Sequence, residues 1–146
     1  MTQLNLLTNK SFLWLSIFFG VLIWSGIEPK DRLTWVLEAG PAMIGLLVMA
    51  KTRISFPLTP LLYVWILLHC IVLMVGAKYT YAEVPLFNSI SEAFGWERNN
   101  YDKVGHFMQG FVPALLAREI LVRKQIVNFA GWRNFIILSI CLAFSA

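Results

Sequence analysis

Charged side chains are scarce in this sequence. Asp, Glu, Lys and Arg make up 14% of its 146 residues, whereas hydrophobic residues make up 58%. The mean hydropathy is +0.68. Soluble domains carry roughly 25% charged residues. The composition therefore excludes an ordinary soluble domain and predicts an integral membrane protein.

The sequence also lacks the motifs of the common soluble enzyme classes. It contains no HExxH metal motif, no GxSxG nucleophile turn and no Gly-rich phosphate loop. Its two cysteines, Cys70 and Cys141, lie inside apolar segments without metal or redox spacing, so we expect them to be packing residues. No basic run with interleaved aromatic residues occurs, which excludes nucleic acid as an expected partner.

The uncharged runs mark the expected membrane spans. Complete spans are predicted at residues 11–27, 33–50, 58–77 and 104–122, and an apolar run follows at 134–146. A bilayer core of about 30 Å needs about 20 helical residues. The fifth run has 13, so we expect a partial span and a chain truncated at its C-terminus.

A short amphipathic segment is predicted between the third and fourth spans. Pro85 begins it, and Gly95 is a plausible C-cap. We expect this helix to lie on the membrane surface. The predicted fold class is thus an all-α polytopic transmembrane bundle with four full spans, a truncated fifth and one interfacial helix.

The basic residues predict the orientation. With the N-terminus in the cytoplasm, seven of the twelve Lys and Arg residues lie inside and five outside, which agrees with the positive-inside rule. Arg118 and Glu119 fall on the inner side, where we expect contact with lipid phosphates. These features predict a multi-pass protein whose N-terminus is cytoplasmic.

The most informative polar residues begin the fourth span. Asp102 and His106 are four residues apart and share one helix face, so Asp102 can accept a hydrogen bond from His106. Gln109 continues that stripe. Glu38 lies at a similar depth in the second span, which runs in the same direction. Polar groups inside a membrane usually face a protein interior or a water-filled cavity.

Two kinds of chemistry suit this group. Asp102 would orient His106 as a general base or as a metal ligand, and Glu38 would be the second carboxylate. Gln109 and Tyr101 are the candidate substrate-binding residues. A divalent metal held by His106 and Asp102 is a candidate cofactor, although a zinc site normally needs three protein ligands.

Each of these residues also has a structural interpretation. Asp102 is well placed to cap the fourth helix, because aspartate is a common N-cap residue. His106 would then be a packing residue held by Asp102. Glu38 would pair with Arg32 or Lys30.

The sequence resembles a known family in this same region. The string of residues 101–107, followed by residues 109–114 and then Arg118 and Glu119, is similar to the YjdF-type bacterial inner-membrane proteins, whose biochemical function is unassigned. The five positions from Asp102 to His106 also resemble the motif of VanZ-like membrane proteins. The resemblance implies an inner-membrane location and supplies no reaction.

Two functions therefore stay open. The first is a membrane protein with a polar outer-leaflet site, acting on an envelope lipid or a lipid-linked substrate as an enzyme would. The alternative is a non-catalytic small transporter or an assembly and scaffold protein. Membrane lipids are the expected partners in both cases, and the oligomeric state is not specified by the sequence.

Overall fold

The structure, a computed structural model, describes the backbone of residues 2–145 and the side chains of residues 9–145. This range is helical and contains no strand, which confirms the all-α prediction. The helices are α1 (Thr2–Gly26), α2 (Arg32–Thr52), α3 (Pro60–Tyr79), α4 (Pro85–Phe94), α5 (Tyr101–Arg123) and α6 (Ala130–Ser145), with a 3-10 turn at Tyr81–Glu83.

Helix α3 is the centre of the bundle. It packs against α1, α2 and α5. The main core forms where Phe18 of α1 and Met74 of α3, both fully buried, meet the small residues Ala39 and Ala42 of α2. Small residues let membrane helices approach closely. Cys70 is part of this core as a free thiol, which confirms its expected packing role.

Helix α6 packs against α5. The two backbones cross closely at Gly110, where an added Cβ would lie 2.7 Å from the carbonyl oxygen of Cys141 and 2.7 Å from the Cβ of Ser145. Only glycine allows this approach without a shift of one helix. The fifth predicted span thus corresponds to α6, and Ala146, its last residue, lies outside the described range.

Two helices of the described range, α2 and α3, are long and apolar enough to cross a membrane by length and composition. α6 is apolar but has 16 residues. α5 has 23 residues and begins at Tyr101, three positions before the predicted start. The number of four complete spans stays a prediction.

The predicted short helix is present as α4, from Pro85 to Phe94. Gly95 ends it with a φ of 65°, a left-handed conformation that glycine adopts without strain. The Trp96 N–H donates to the Ser91 carbonyl at 2.8 Å, as expected when a left-handed residue closes a helix. The expected C-cap is therefore confirmed.

Candidate functional site

Tyr81 lies at the end of the helix bundle that also contains Glu38, Lys78 and Asp102. We call this end the Tyr81 end. Its ring lies against two glycines. An added Cβ would be 2.5 Å from the Tyr81 Cζ at Gly76 of α3, and 2.6 Å from its Cε1 at Gly105 of α5. The two helices can hold this ring only because neither position carries a side chain.

The Tyr81 hydroxyl is buried and makes no hydrogen bond of standard geometry among the described residues, although the Glu38 carboxylate is close enough to interact with it. Burial raises the pKa of the Tyr81 phenol, and the nearby carboxylate of Glu38 raises that pKa further. The phenol is therefore neutral. Glu38 itself is half-buried in α2. A neutral donor and a carboxylate are thus neighbours in a partly dry site.

Asp102 does not bind His106. Its carboxylate forms an ion pair with Arg98, four residues earlier, and accepts the Lys103 N–H at 2.9 Å. His106 is exposed, and no hydrogen bond between it and Asp102 occurs in the described part of the chain. Arg98 takes the place of His106 as the partner of Asp102, because a guanidinium is always charged and forms strong hydrogen bonds with a carboxylate. The proposed catalytic roles of these residues stay predictions.

The capping interpretation of Asp102 is also corrected. α5 begins one residue earlier, at Tyr101, so Asp102 lies inside its first turn. The side-chain oxygen of Asn99 accepts the Tyr101 N–H at 3.0 Å and satisfies the helix start instead. Asn99 is buried and also donates to the Val84 carbonyl at 2.9 Å, so it ties α5 to the beginning of α4.

Tyr101, a candidate substrate contact, is buried among three elements. Its hydroxyl donates to the Val72 carbonyl of α3 at 3.0 Å, and its ring meets that of Phe87 at 5.0 Å, nearly edge to face. The Tyr81 ring lies 5.9 Å away. Gln109, the other candidate, is half-buried. The hydrogen bond of Tyr101 therefore fixes α5 against α3, a contact that the sequence did not reveal.

Other charged side chains at the Tyr81 end are bound within the protein. Lys30 pairs with Glu83, so its expected pairing with Glu38 is not formed. The Lys78 ammonium donates to the Ile27 carbonyl at 2.5 Å, next to the last turn of α1. Within the described residues, no group of three or more His, Cys, Asp or Glu side chains could hold a metal ion. Asp102 and His106 would need ligands from elsewhere.

The opposite end of the bundle, which we call the Glu119 end, contains a network that sequence reasoning missed. Glu119 of α5 accepts the Thr59 N–H at 2.9 Å and the Thr59 hydroxyl at 2.7 Å. It caps α3 from another helix. Arg123 binds Glu119 at 2.7 Å and the Pro57 carbonyl at 2.6 Å. Glu119 is thus bound within the protein, and the expected contact of this region with lipid phosphates stays a prediction.

Comparisons with known proteins agree with the helical membrane architecture. A family model described as "Predicted membrane protein (DUF2238)" matches residues 11–146. "Inner membrane protein YjdF" of Escherichia coli (strain K12) is 48% identical over 141 residues, which cover 97% of this chain and 66% of that relative. No solved structure matches. The expected resemblance to YjdF-type proteins is confirmed, and the chain belongs to the DUF2238 family of predicted membrane proteins.

Proposed function

We propose that this chain is part of a multi-pass bacterial inner-membrane protein with a cytoplasmic N-terminus, whose Tyr81 end binds the polar head of an envelope lipid or a lipid-linked substrate. The 48% identity to an inner membrane protein supports the location. In this orientation the Tyr81 end faces the periplasm. The α4 helix lies beside it and would meet the head-group layer.

The observation that carries the proposal is the buried Tyr81 hydroxyl beside Glu38. A buried polar group without a well-formed hydrogen bond costs up to roughly 1–3 kcal/mol. A ligand that hydrogen-bonds to it would remove this cost. The phenol offers a donor, and the carboxylate attracts a cation or accepts hydrogen bonds. An ammonium or hydroxyl group in a lipid head complements that pair.

His106 directly follows Gly105, the residue that contacts Tyr81, and its side chain is exposed. A catalytic form of the proposal assigns His106 as base, or as metal ligand with Asp102, and Glu38 as the second carboxylate. Gln109 and Tyr101 would contact the substrate. For this catalytic role, substrate binding would have to break the Asp102–Arg98 ion pair, so that Asp102 could bind His106 instead.

A non-catalytic function, as a small transporter or assembly protein, is the second candidate. It is favoured by the polar groups that already join elements of the bundle. Tyr101 binds the α3 backbone, Asn99 binds the start of α4, and Lys30 joins Glu83. Hydrogen bonds of this type contribute about 0.6 kcal/mol each between membrane helices.

Lipid binding by purified protein tests the proposal. Phosphatidylethanolamine is the probe, because its ammonium group complements Glu38. We expect added phosphatidylethanolamine to raise the melting temperature of the wild type, and Glu38→Gln and Tyr81→Phe to reduce that rise. His106→Ala should leave the lipid-induced rise in melting temperature unchanged, because the proposal assigns His106 to catalysis and lipid binding to Tyr81 and Glu38.

The control is Trp132→Phe, a conservative change of an exposed side chain in α6, remote from Tyr81 in sequence. It should leave the lipid response unchanged. An equal response in the wild type, Glu38→Gln and Tyr81→Phe would contradict the proposed site. Normal melting of the variants without lipid would show that they fold.

A further inference from the structure

A groove runs along α3 at the face where α2 and α5 come near each other. Both helices pack on α3 but make at most marginal contact with one another. The space between them has a volume of about 510 Å³, within the usual range of ligand sites. Its two walls are lined by Ala42, Gly45 and Met49 of α2 and by Val112, Leu116 and Ile120 of α5.

The groove is apolar along its length but positively charged at one end. Lys124, the residue after α5, lies at that end with Phe56, and the Lys124 ammonium is 5.3 Å from the Phe56 ring centre. In the described part of the chain, no carboxylate pairs with Lys124. Arg123, by contrast, is bound to Glu119. The free cation beside an apolar groove complements an amphipathic anion.

We propose that this groove binds one acyl chain of an anionic phospholipid, with the lipid phosphate on Lys124. From Val112 to Lys124, α5 rises by about 18 Å, which gives the acyl chain a long apolar wall. The site is at the opposite end from Tyr81. It requires neither the proposed substrate site nor any catalytic role.

His69 limits how deep the chain extends. It lines the groove, and its buried Nε2 has no hydrogen-bond partner among the described residues. The imidazole is a polar group in an otherwise apolar wall, and hydrocarbon is a less favourable neighbour for a polar ring than water is. The acyl chain therefore occupies the part of the groove between His69 and Lys124. Replacing His69 with Leu should leave lipid binding equal or stronger.

Gly45 provides a sharp test, because a side chain built there enters open space. An added Cβ at Gly45 has no neighbour within 4 Å, although the residue lines the groove. Gly45→Leu should therefore fill the groove without disturbing the helices. Gly20→Leu is the matched control: its Cβ also has no neighbour within 4 Å, and it lies in α1, away from the groove.

The experiment is native mass spectrometry of the delipidated full chain in detergent, titrated with phosphatidylglycerol or with phosphatidylcholine of the same acyl composition. We expect the wild type and Gly20→Leu to bind one phosphatidylglycerol tightly, and Gly45→Leu to lose that binding. Lys124→Gln should weaken phosphatidylglycerol about fivefold and phosphatidylcholine little, since a lysine near anionic lipid contributes about that factor.

Two results would overturn the proposal. One is equal phosphatidylglycerol binding by Gly45→Leu and Gly20→Leu. The other is a dimer that forms without lipid and is lost in Gly45→Leu, which would assign the groove to a second copy of the chain. Melting curves recorded without lipid would show whether each variant folds, so that a folding defect can be distinguished from a loss of lipid binding.

Discussion

Glu119 and Thr59 are 60 positions apart and make two hydrogen bonds, at 2.9 Å from the Thr59 N–H and 2.7 Å from its hydroxyl. The carboxylate of α5 thus serves as the N-terminal cap of α3. A negative group at a helix N-terminus satisfies free N–H groups and opposes the helix dipole. Arg123 binds the same carboxylate and therefore helps to hold the Glu119 side chain in its capping position.

Removing this cap should destabilise the bundle. We expect Glu119→Ala to lower the free energy of unfolding by about 1–2 kcal/mol, the usual cost of losing a side-chain cap. Thermal melting in detergent would measure it. Arg118→Ala, an exposed neighbour on the same helix, should change stability by less than about 0.5 kcal/mol. Similar losses in both variants would contradict the capping role.

The contact between Gly105 and Tyr81 predicts a steric penalty. Gly105→Ala would place a methyl group 2.6 Å from the Tyr81 ring, so we expect a loss of about 1–3 kcal/mol. Gly20→Ala, where the methyl group enters open space, should instead gain about 0.5–1 kcal/mol from the higher helix propensity of alanine.

A double-mutant cycle would identify the cause of the Gly105→Ala penalty. If the Tyr81 ring is the obstacle, Gly105→Ala should cost much less when Tyr81 is also replaced by alanine. Simple additivity of the two single changes would show that the penalty arises elsewhere.

Tyr81 should respond to alkaline pH. Its folded pKa is raised above the unfolded value of about 10, so the stability from keeping it neutral is fully present below pH 10 and is lost as pH rises further. We expect Tyr81→Phe to reduce the fall in melting temperature above pH 10. In Tyr81→Phe, phenolate absorbance should show one fewer tyrosine that ionises well above pH 10 than in the wild type. An unchanged alkaline profile would refute this assignment.

Asp31 should control stability at acid pH. It is the N-cap of α2 and accepts the Thr34 N–H at 2.7 Å, which holds the pKa of its carboxyl below the usual value. Its contribution is present above the unfolded pKa of about 4 and is lost as pH falls through the lower folded value. We expect Asp31→Ala to melt earlier at neutral pH and to approach the wild type in strong acid.

Asp31→Asn is the matched variant, because asparagine caps a helix without titrating. It should retain most of the neutral-pH stability and show a weaker acid dependence than the wild type. Equal acid profiles for the wild type and Asp31→Asn would mean that another carboxyl controls this range.

The sequence predicted what depends on local pattern and composition. The all-α class, the α4 helix and its Gly95 cap follow from apolar runs and from the residues that end helices. The cap of α3 could not be predicted, because Glu119 reaches Thr59 only after α3 and α5 have packed. The packing of Tyr81 between Gly76 and Gly105 could not be predicted for the same reason. The two glycines are distant in sequence, and they have no side chain that would mark them as a contact site.

The contact expected between Asp102 and His106 failed for a local reason. Arg98 and His106 are each four residues from Asp102, one before it and one after it. Only His106 shares the α5 helix with Asp102, because Arg98 precedes the helix start at Tyr101. The permanently charged guanidinium of Arg98 nevertheless forms the ion pair. The competing residue was visible in the sequence but lay in the preceding loop, where helix periodicity does not apply.

The two glycines of α5 have a mechanical consequence. Gly105 and Gly110 are five residues apart, which places them about 140° apart around the helix axis. One receives the Tyr81 ring and the other receives the backbone of α6. If α5 rotated so that Gly105 moved away from Tyr81, Gly110 would also rotate away from α6. A neighbouring side chain of α5 would then collide with the α6 backbone. Helix α5 is therefore held against rotation at two points, and a rotation of α5 at Tyr81 would also disturb its contact with α6.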